Sequence, residues 1–172
     1  MPSRYIGGLV VLSALLGGCA TANVRPEDSY QRTNAYLYGR FYIEGQNLSF
    51  VIRCREGTKY RIDFSSRDEV QMIALPPSVC QLDEVLYGGV AQAMARFRLV
   101  RNEFLDPGGV YYVGDFRMSG TSKLTAITPF YTQWRYSWRT DSVRDDYRVT
   151  TQEMRRRFPW FASVPTEDRV TH

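Results

Sequence analysis

Leu48-Ser49-Phe50-Val51-Ile52-Arg53-Cys54 decides the fold class. Leu48, Phe50, Ile52 and Cys54 alternate with Ser49, Val51, Arg53 and Arg55, the period-2 pattern of a strand with one buried face. That parity points Cys54 inward. Arg55-Glu56-Gly57 is turn chemistry, and Tyr60, Ile62 and Phe64 then alternate with Lys59, Arg61 and Asp63. Upstream, from Ala35 onward, Tyr36, Tyr38, Arg40 and Tyr42 alternate with Leu37, Gly39, Phe41 and Ile43. Aromatic and β-branched residues at this density mark a strand, and Gly45-Gln46-Asn47 turns it toward Leu48. The three strands are expected to form a meander. Both faces of the first are apolar, so its parity assigns no outward side.

Further along, Val70 to Leu75 reads as a fourth strand, stopped by Pro76-Pro77 because proline donates no ladder hydrogen bond. Val79 to Tyr87 fits a strand or a helical turn. Gly88 to Met94 is weakly patterned, and Ala95 to Val100 alternates with Phe97 and Leu99 inward. Asp106-Pro107-Gly108-Gly109 is a tight turn feeding Val110 to Met118, expected as one long central strand. Gly120 to Thr128 reads as a loop or short strand ended by Pro129. Gln133, Arg135, Ser137 and Arg139 alternate with Trp134, Tyr136 and Trp138 in another strand. Val143 to Val149 is expected as the last. Thr150 with Glu153 three residues later matches a capping box, opening a short helix through Arg157 that Phe158-Pro159 closes. About seven to nine strands and one helix predict a mainly β domain, an antiparallel β-sandwich or closed barrel with the helix over one end.

The N-terminus carries a separate signal. Arg4 precedes an apolar run from Ile6 to Leu16, which Leu16-Gly17-Gly18-Cys19 closes. A charged start, an apolar middle and small residues before a cut describe a secretory signal. The run is too short for a bilayer span, which takes about 20 residues. Its ending resembles the lipobox of bacterial lipoprotein precursors. The resemblance implies cleavage before Cys19, a diacylglycerol on the Cys19 thiol and a third acyl chain, palmitate, on its new amino group. Ala20 in place of an aspartate implies the outer membrane, facing the periplasm. An ordinary cleaved signal is the alternative. The expected division is a signal peptide over 1–18, a lipidated flexible tether over 19–34, a β-domain over 35–165 and a frayed tail over 166–172. Thr21 to Thr33 is polar, contains Pro26 and has no period, as a tether would. Within the domain, the Pro107-Gly108 turn before Val110-Tyr111-Tyr112 resembles an element of transthyretin-like and carboxypeptidase-regulatory-like domains, and implies an Ig-like or transthyretin-like sandwich.

Composition narrows the chemistry. Removing residues 1–18 leaves 154 residues with 21 basic and 18 acidic side chains, a balance too even to argue for nucleic acid. With Cys19 committed to lipid, Cys54 and Cys80 remain, and an even pair in an oxidising compartment reads as a disulfide. Two buried free thiols are the alternative. The only histidine is His172, so no imidazole base, Ser-His-Asp or Cys-His arrangement, or histidine metal site is available. No glycine-rich phosphate loop occurs, and no cofactor is expected. Asp68-Glu69, Asp83-Glu84 and Asp145-Asp146 are adjacent acids, and neighbours on a strand point to opposite faces. Solvated turn or edge residues are therefore the plainer reading, against a carboxylate pair across a cleft.

Tyr36, Tyr38, Tyr42, Trp134, Tyr136 and Trp138 are the candidate binding residues, because exposed aromatics stack on sugars or anchor protein partners. Core filling is the alternative for each. Arg155-Arg156-Arg157 would complement the helix dipole or meet anionic headgroups. The expectation is a non-enzymatic, lipid-anchored envelope protein whose β-domain binds or braces another envelope protein or polymer. The alternatives are a carbohydrate- or peptidoglycan-binding module and a carboxylate-dependent hydrolase.

Overall fold

The computed structural model describes residues 20–45, 48–64, 68–87, 90–92 and 105–170. The signal segment, Cys19, the 95–100 stretch and His172 lie outside the described residues. In chain order the strands are Ala20–Thr21 (β1), Ala35–Gly45 (β2), Leu48–Cys54 (β3), Lys59–Asp63 (β4), Val70–Leu75 (β5), Cys80–Tyr87 (β6), Val90–Gln92 (β7), Val110–Tyr112 (β8), Asp115–Ile127 (β9), Thr132–Arg144 (β10) and Glu167–Asp168 (β11). One α-helix, Tyr147–Arg157 (α1), and a single 3-10 turn, Pro159–Phe161, precede β11. The domain is mainly β, as the periodicity predicts.

β3 and β4 form the expected hairpin, closed where Gly57 N–H donates to the Cys54 carbonyl at 2.8 Å. β6 pairs with the other side of β3, giving the order β1-β4-β3-β6-β7. Cys54 and Cys80 are directly opposed in that β3–β6 register and form a disulfide, with an S–S distance of 2.06 Å. The expected three-strand meander does not form, because β2 belongs to a second sheet. It pairs antiparallel with β5 and parallel with β8 and β9. The reason is the two-sided apolarity of β2. Leu37, Phe41 and Ile43 join one apolar cluster and Tyr36 and Tyr38 another, so this strand needs cover on both faces. β3 keeps Arg53 exposed at its end, although Ser49 and Val51 on the same side are buried.

Nor is the architecture purely antiparallel. β1–β4, β2–β8, β2–β9 and β8–β11 are all parallel pairs. After β2 the chain passes through the first sheet, contributes β5 to one side of β2, passes through the first sheet again and returns beside β2 in the same direction, the long crossover that parallel pairing requires. The expected single strand over Val110 to Met118 is broken at its middle. Tyr38 pairs with Tyr112 and Phe41 with Phe116, so three steps on β2 match four on the returning chain. The extra residue bulges at Val113-Gly114, where Gly114 has φ of +111°. Gly39 sits against it, and a Cβ at Gly39 would overlap the Gly114 carbonyl oxygen.

One apolar cluster collects Phe50, Ile52, Cys54 and Ile62 from the first sheet with Leu37, Phe41, Ile73, Val113 and Met118 from the second. The opposite face of the second sheet presents Tyr36, Tyr38, Val70, Met72 and Tyr112 to Met154, Phe158 and Phe161. The helix and the 3-10 turn thus form a third layer. The expected last strand over Val143 to Val149 is not present. Val143 completes β10, and the helix begins at Tyr147. Thr150, Thr151 and Met154 face inward at helical spacing while Val149 stays exposed, a burial pattern that a strand cannot provide. The capping box is also unused. Asp146 occupies the N-cap position, its carbonyl accepting the Thr150 N–H at 2.9 Å, and Thr150 and Glu153 are engaged elsewhere.

Two segments expected to be loose are packed. Ala22 is buried, its N–H donating to the Arg61 carbonyl at 2.8 Å, and Val24 N–H donates to the Met72 carbonyl at 2.8 Å. The Asn23 side chain bonds both backbone groups of Asp63, at 2.8 Å each. Residues 20–24 therefore bond β4 of the first sheet and β5 of the second, and lace the two together. An aperiodic segment is so short here that backbone pairing, rather than an amphipathic pattern, holds it. At the other terminus β11 pairs with β8, and Arg169 N–H donates to the Tyr112 carbonyl at 2.8 Å.

Candidate functional site

Arg40 sits in the middle of the largely apolar strand β2 and is the centre of the main polar cluster. Its guanidinium pairs with Asp68 at 3.4 Å, Asp115 at 3.5 Å and Glu153 of α1. Burial opposes its charge, but Glu153, Asp115 and Asp68 together raise its pKa. Asp115, just past the bulge, is 8% exposed. Its Oδ1 accepts the Arg40 N–H at 3.2 Å and the Tyr112 hydroxyl at 3.0 Å. Its Oδ2 accepts the Thr150 hydroxyl at 2.8 Å. Burial nevertheless pushes the Asp115 carboxyl above its ordinary value, against the lowering effect of Thr150, the Arg40 amide, Tyr112 and the Arg40 charge. The Tyr112 hydroxyl also accepts the Asp146 N–H at 3.0 Å and lies 3.2 Å from the Arg144 carbonyl. One carboxylate and one phenol therefore fasten the helix N-terminus to β2, β9 and β10. Deeper under α1, Tyr38 shares a hydrogen bond of 2.6 Å with Thr151, and burial pushes its phenol up to about 12.

Beside this cluster opens a cleft of about 350 Å³, lined by Arg40, Tyr42, Asp68, Asp115, Arg117, Ser142, Arg144 and Asp146. Arg117 lies over the Tyr42 ring at 4.9 Å from its centroid, a cation–π contact. The cleft mixes both charge signs, and the acceptor positions of its most buried acid, Asp115, already face donors from Arg40, Tyr112 and Thr150. Among the described residues, no three histidine, cysteine, aspartate or glutamate side chains converge as a metal site.

The other distinctive feature is the β9–β10 hairpin, with strands of 13 residues each. β2 accompanies β9 only as far as the Gly45–Gly120 pair. Beyond it, among the described residues, Thr121 to Ile127 pair with Thr132 to Ser137 alone. The turn at the end is built by Thr128, whose hydroxyl oxygen accepts the Phe130 and Tyr131 N–H groups at 3.3 and 3.1 Å. Its N–H donates to the Tyr131 carbonyl at 2.9 Å. That turn displays Phe130 at 94%, Ile127 at 72% and Tyr131 at 59% exposure. An ordered apolar knob on a projecting hairpin is the kind of surface that marks an interaction site.

The chain matches no protein-family model, no curated protein and no solved structure.

Of the candidate binding aromatics, Tyr36 and Tyr38 are buried beneath α1 and the 3-10 turn, and cannot stack on a ligand. Tyr42 is half-buried under Arg117 at the cleft. The backbone of Trp134, Tyr136 and Trp138 lies in β10, opposite Leu124, Ser122 and Gly120, and their side chains lie outside the described residues. The adjacent acids are drawn apart. Asp68 pairs with Arg40 and Glu69 with Arg157, at 2.6 Å. Glu84 pairs with Lys59 at 2.7 Å, and the Asp83 side chain lies outside the described residues. Asp145 and Asp146 are exposed at the start of α1. Arg155 and Arg156 are exposed in its last turn. Sequence reasoning missed Arg40, Asp115 and Tyr112, although charges set among the aromatic residues of two strand segments were a usable signal. It also missed Phe130 and Tyr131, which followed Pro129 and read as punctuation.

Proposed function

We propose that this chain is a lipid-anchored envelope protein whose β-domain binds or braces another envelope component without catalysing a reaction. The observation that carries the reading is the projecting hairpin with its exposed Phe130-Tyr131 knob. An apolar patch that the fold could have buried is costly in water unless a partner covers it. The Leu16-Gly17-Gly18-Cys19 lipobox supplies the anchor, and two or three acyl chains on one cysteine make release negligible. The outer membrane, facing the periplasm, is the location we infer from Ala20. Arg40, Asp115, Tyr112 and Thr150 are spent on holding α1 in place, which favours binding over acid–base chemistry. We also read the two sheets as the layers of a β-sandwich, with a transthyretin-like turn at Pro107-Gly108.

Two measurements test this reading. Cys19→Ser is expected to abolish uptake of labelled fatty acid, and continued labelling sinks the anchor. A photo-reactive residue in place of Phe130, in intact cells, is expected to give discrete adducts that the same probe at exposed Arg148 does not. Indistinguishable patterns from the two positions sink the hairpin as the binding element.

A further inference from the structure

We propose that one face of the β9–β10 hairpin binds an extended, phosphate-bearing glycan chain, an inference that rests on the binding reading above. Residues two apart on a strand share a face. Arg117, Ser119, Thr121 and Lys123 of β9 therefore line one side, and the register places Ser142, Arg139, Ser137 and Arg135 of β10 opposite them in that order. Arg144 continues the face into the cleft, opposite Asp115. From Phe116 to Thr140 the sequence holds four basic residues and no acid. The ladder from Lys123 to Asp115 spans eight residue steps, about 27 Å at strand spacing.

The distal rung points to the ligand. Lys123 and Arg135 are directly opposed, and both are exposed. Like charges in that position repel, and among the described residues neither has an ion-pair partner. No partner among the described residues relieves the repulsion, whereas an anion between them does. Two cations on directly opposed residues match a phosphate monoester, which carries about −1.5 to −2 at neutral pH, better than a carboxylate. The next rung is uncharged, with Thr121 and Ser137 hydroxyls 2.7 Å apart. Arg139 follows, held by Asp141 at 2.7 Å and by the Ser119 hydroxyl at 3.3 Å. Then comes Arg117, steadied over Tyr42. Cationic rungs separated by hydroxyls suit a chain of sugar rings with phosphates at intervals. They suit a continuous sheet of headgroups less well. Topology agrees. Asn23 is level with Leu37, since both pair with Ile73, while the hairpin extends past Gly45, the other end of β2. The ladder leads away from the end of the domain that carries the anchor.

The test uses the full-length chain in detergent micelles, with phosphomannan as probe. Binding is expected, and should weaken as salt rises. The double variant Lys123→Gln/Arg135→Gln should bind about tenfold more weakly. Its thermal midpoint should be unchanged or higher, because the opposed charges are gone. Arg148→Gln, a cation removed from α1, should bind as the wild type does. If wild type fails to bind, or if the double variant binds normally, the proposal is overturned. Should the double variant unfold, Arg135→Gln alone carries the same expectation. Equal binding to unphosphorylated mannan overturns the role of phosphate. Equal or tighter binding to poly-glutamate means an acidic peptide is the partner, and binding to phosphatidylglycerol vesicles in preference to phosphomannan means a lipid surface. Either result overturns the glycan. Loss of the phosphomannan result with position-130 adducts intact leaves the binding reading standing and removes only this inference.

Discussion

Asp115 is an acid that the fold holds ionised at a disadvantage. Its pKa is raised above the ordinary 3.8, chiefly by burial, even though Thr150, Tyr112 and Arg40 all donate toward it. A raised folded-state pKa means that the native state takes up this proton more readily than the unfolded chain. Its contribution to stability is therefore fully present below about pH 3.8, and is lost as pH rises through the higher folded value. Asp115→Asn removes that titration. Wild type should accordingly gain stability relative to Asp115→Asn as pH is lowered from 7 toward 3.5. Urea denaturation of both proteins across that range measures the difference. A gap that stays constant, or that narrows in wild type's disfavour at low pH, is incompatible with the assignment. The same residue shows how a charge in an aromatic strand is to be read. It marks where another element docks, here α1 through Thr150, rather than where a strand meets water.

At the scale of elements, the Cys54–Cys80 disulfide encloses a chain that leaves the first sheet, contributes β5 to the second and comes back as β6. Both crossings must be made before the two cysteines meet in register. For a separation of 26 residues, the loop-entropy account gives about 3–4 kcal/mol of stabilisation. A Cys54→Ala/Cys80→Ala double variant should lose about that amount in equilibrium denaturation. A loss under about 1 kcal/mol would mean that the β3–β6 pairing already confines the unfolded chain. The pairing was one of two readings open before the structure, because the parity of β3 sent Cys54 inward and the expected lipid on Cys19 left Cys80 as its partner, against two free thiols. The hairpin was half readable. Alternation over Gln133 to Arg139 announced a strand, but Thr121 to Ile127 carry few apolar residues and left a loop or a short strand open. Their extension comes from pairing with β10, a partner that local periodicity does not record.

At the scale of the molecule, residues 20–24 join the two sheets. Such a seam differs measurably from a tether. The Ala22 and Val24 amides, bonded to Arg61 and Met72, should exchange with solvent slowly, as sheet interior does, whereas a tether would exchange at once. Hydrogen exchange resolved to this peptide decides between them, and rapid exchange there would return the segment to the tether reading.

Periodicity by itself marked strands such as Leu48–Cys54 and Val70–Leu75 and turned Cys54 toward the core, because each depends on which side of a segment meets water, and Phe158-Pro159 placed a helix end near Arg157. Tertiary structure alone decided that β2 leaves its neighbours, that the chain bulges at Gly114 and that Val149 is helical. It also decided that Tyr36 and Tyr38 are core, and that Arg40 and Asp115 meet. A period of two says that a face is buried and is silent on what buries it. Those choices rest on contacts between residues far apart in the chain, such as Tyr38 with Thr151 and Arg40 with Glu153, and no window of neighbouring residues contains them.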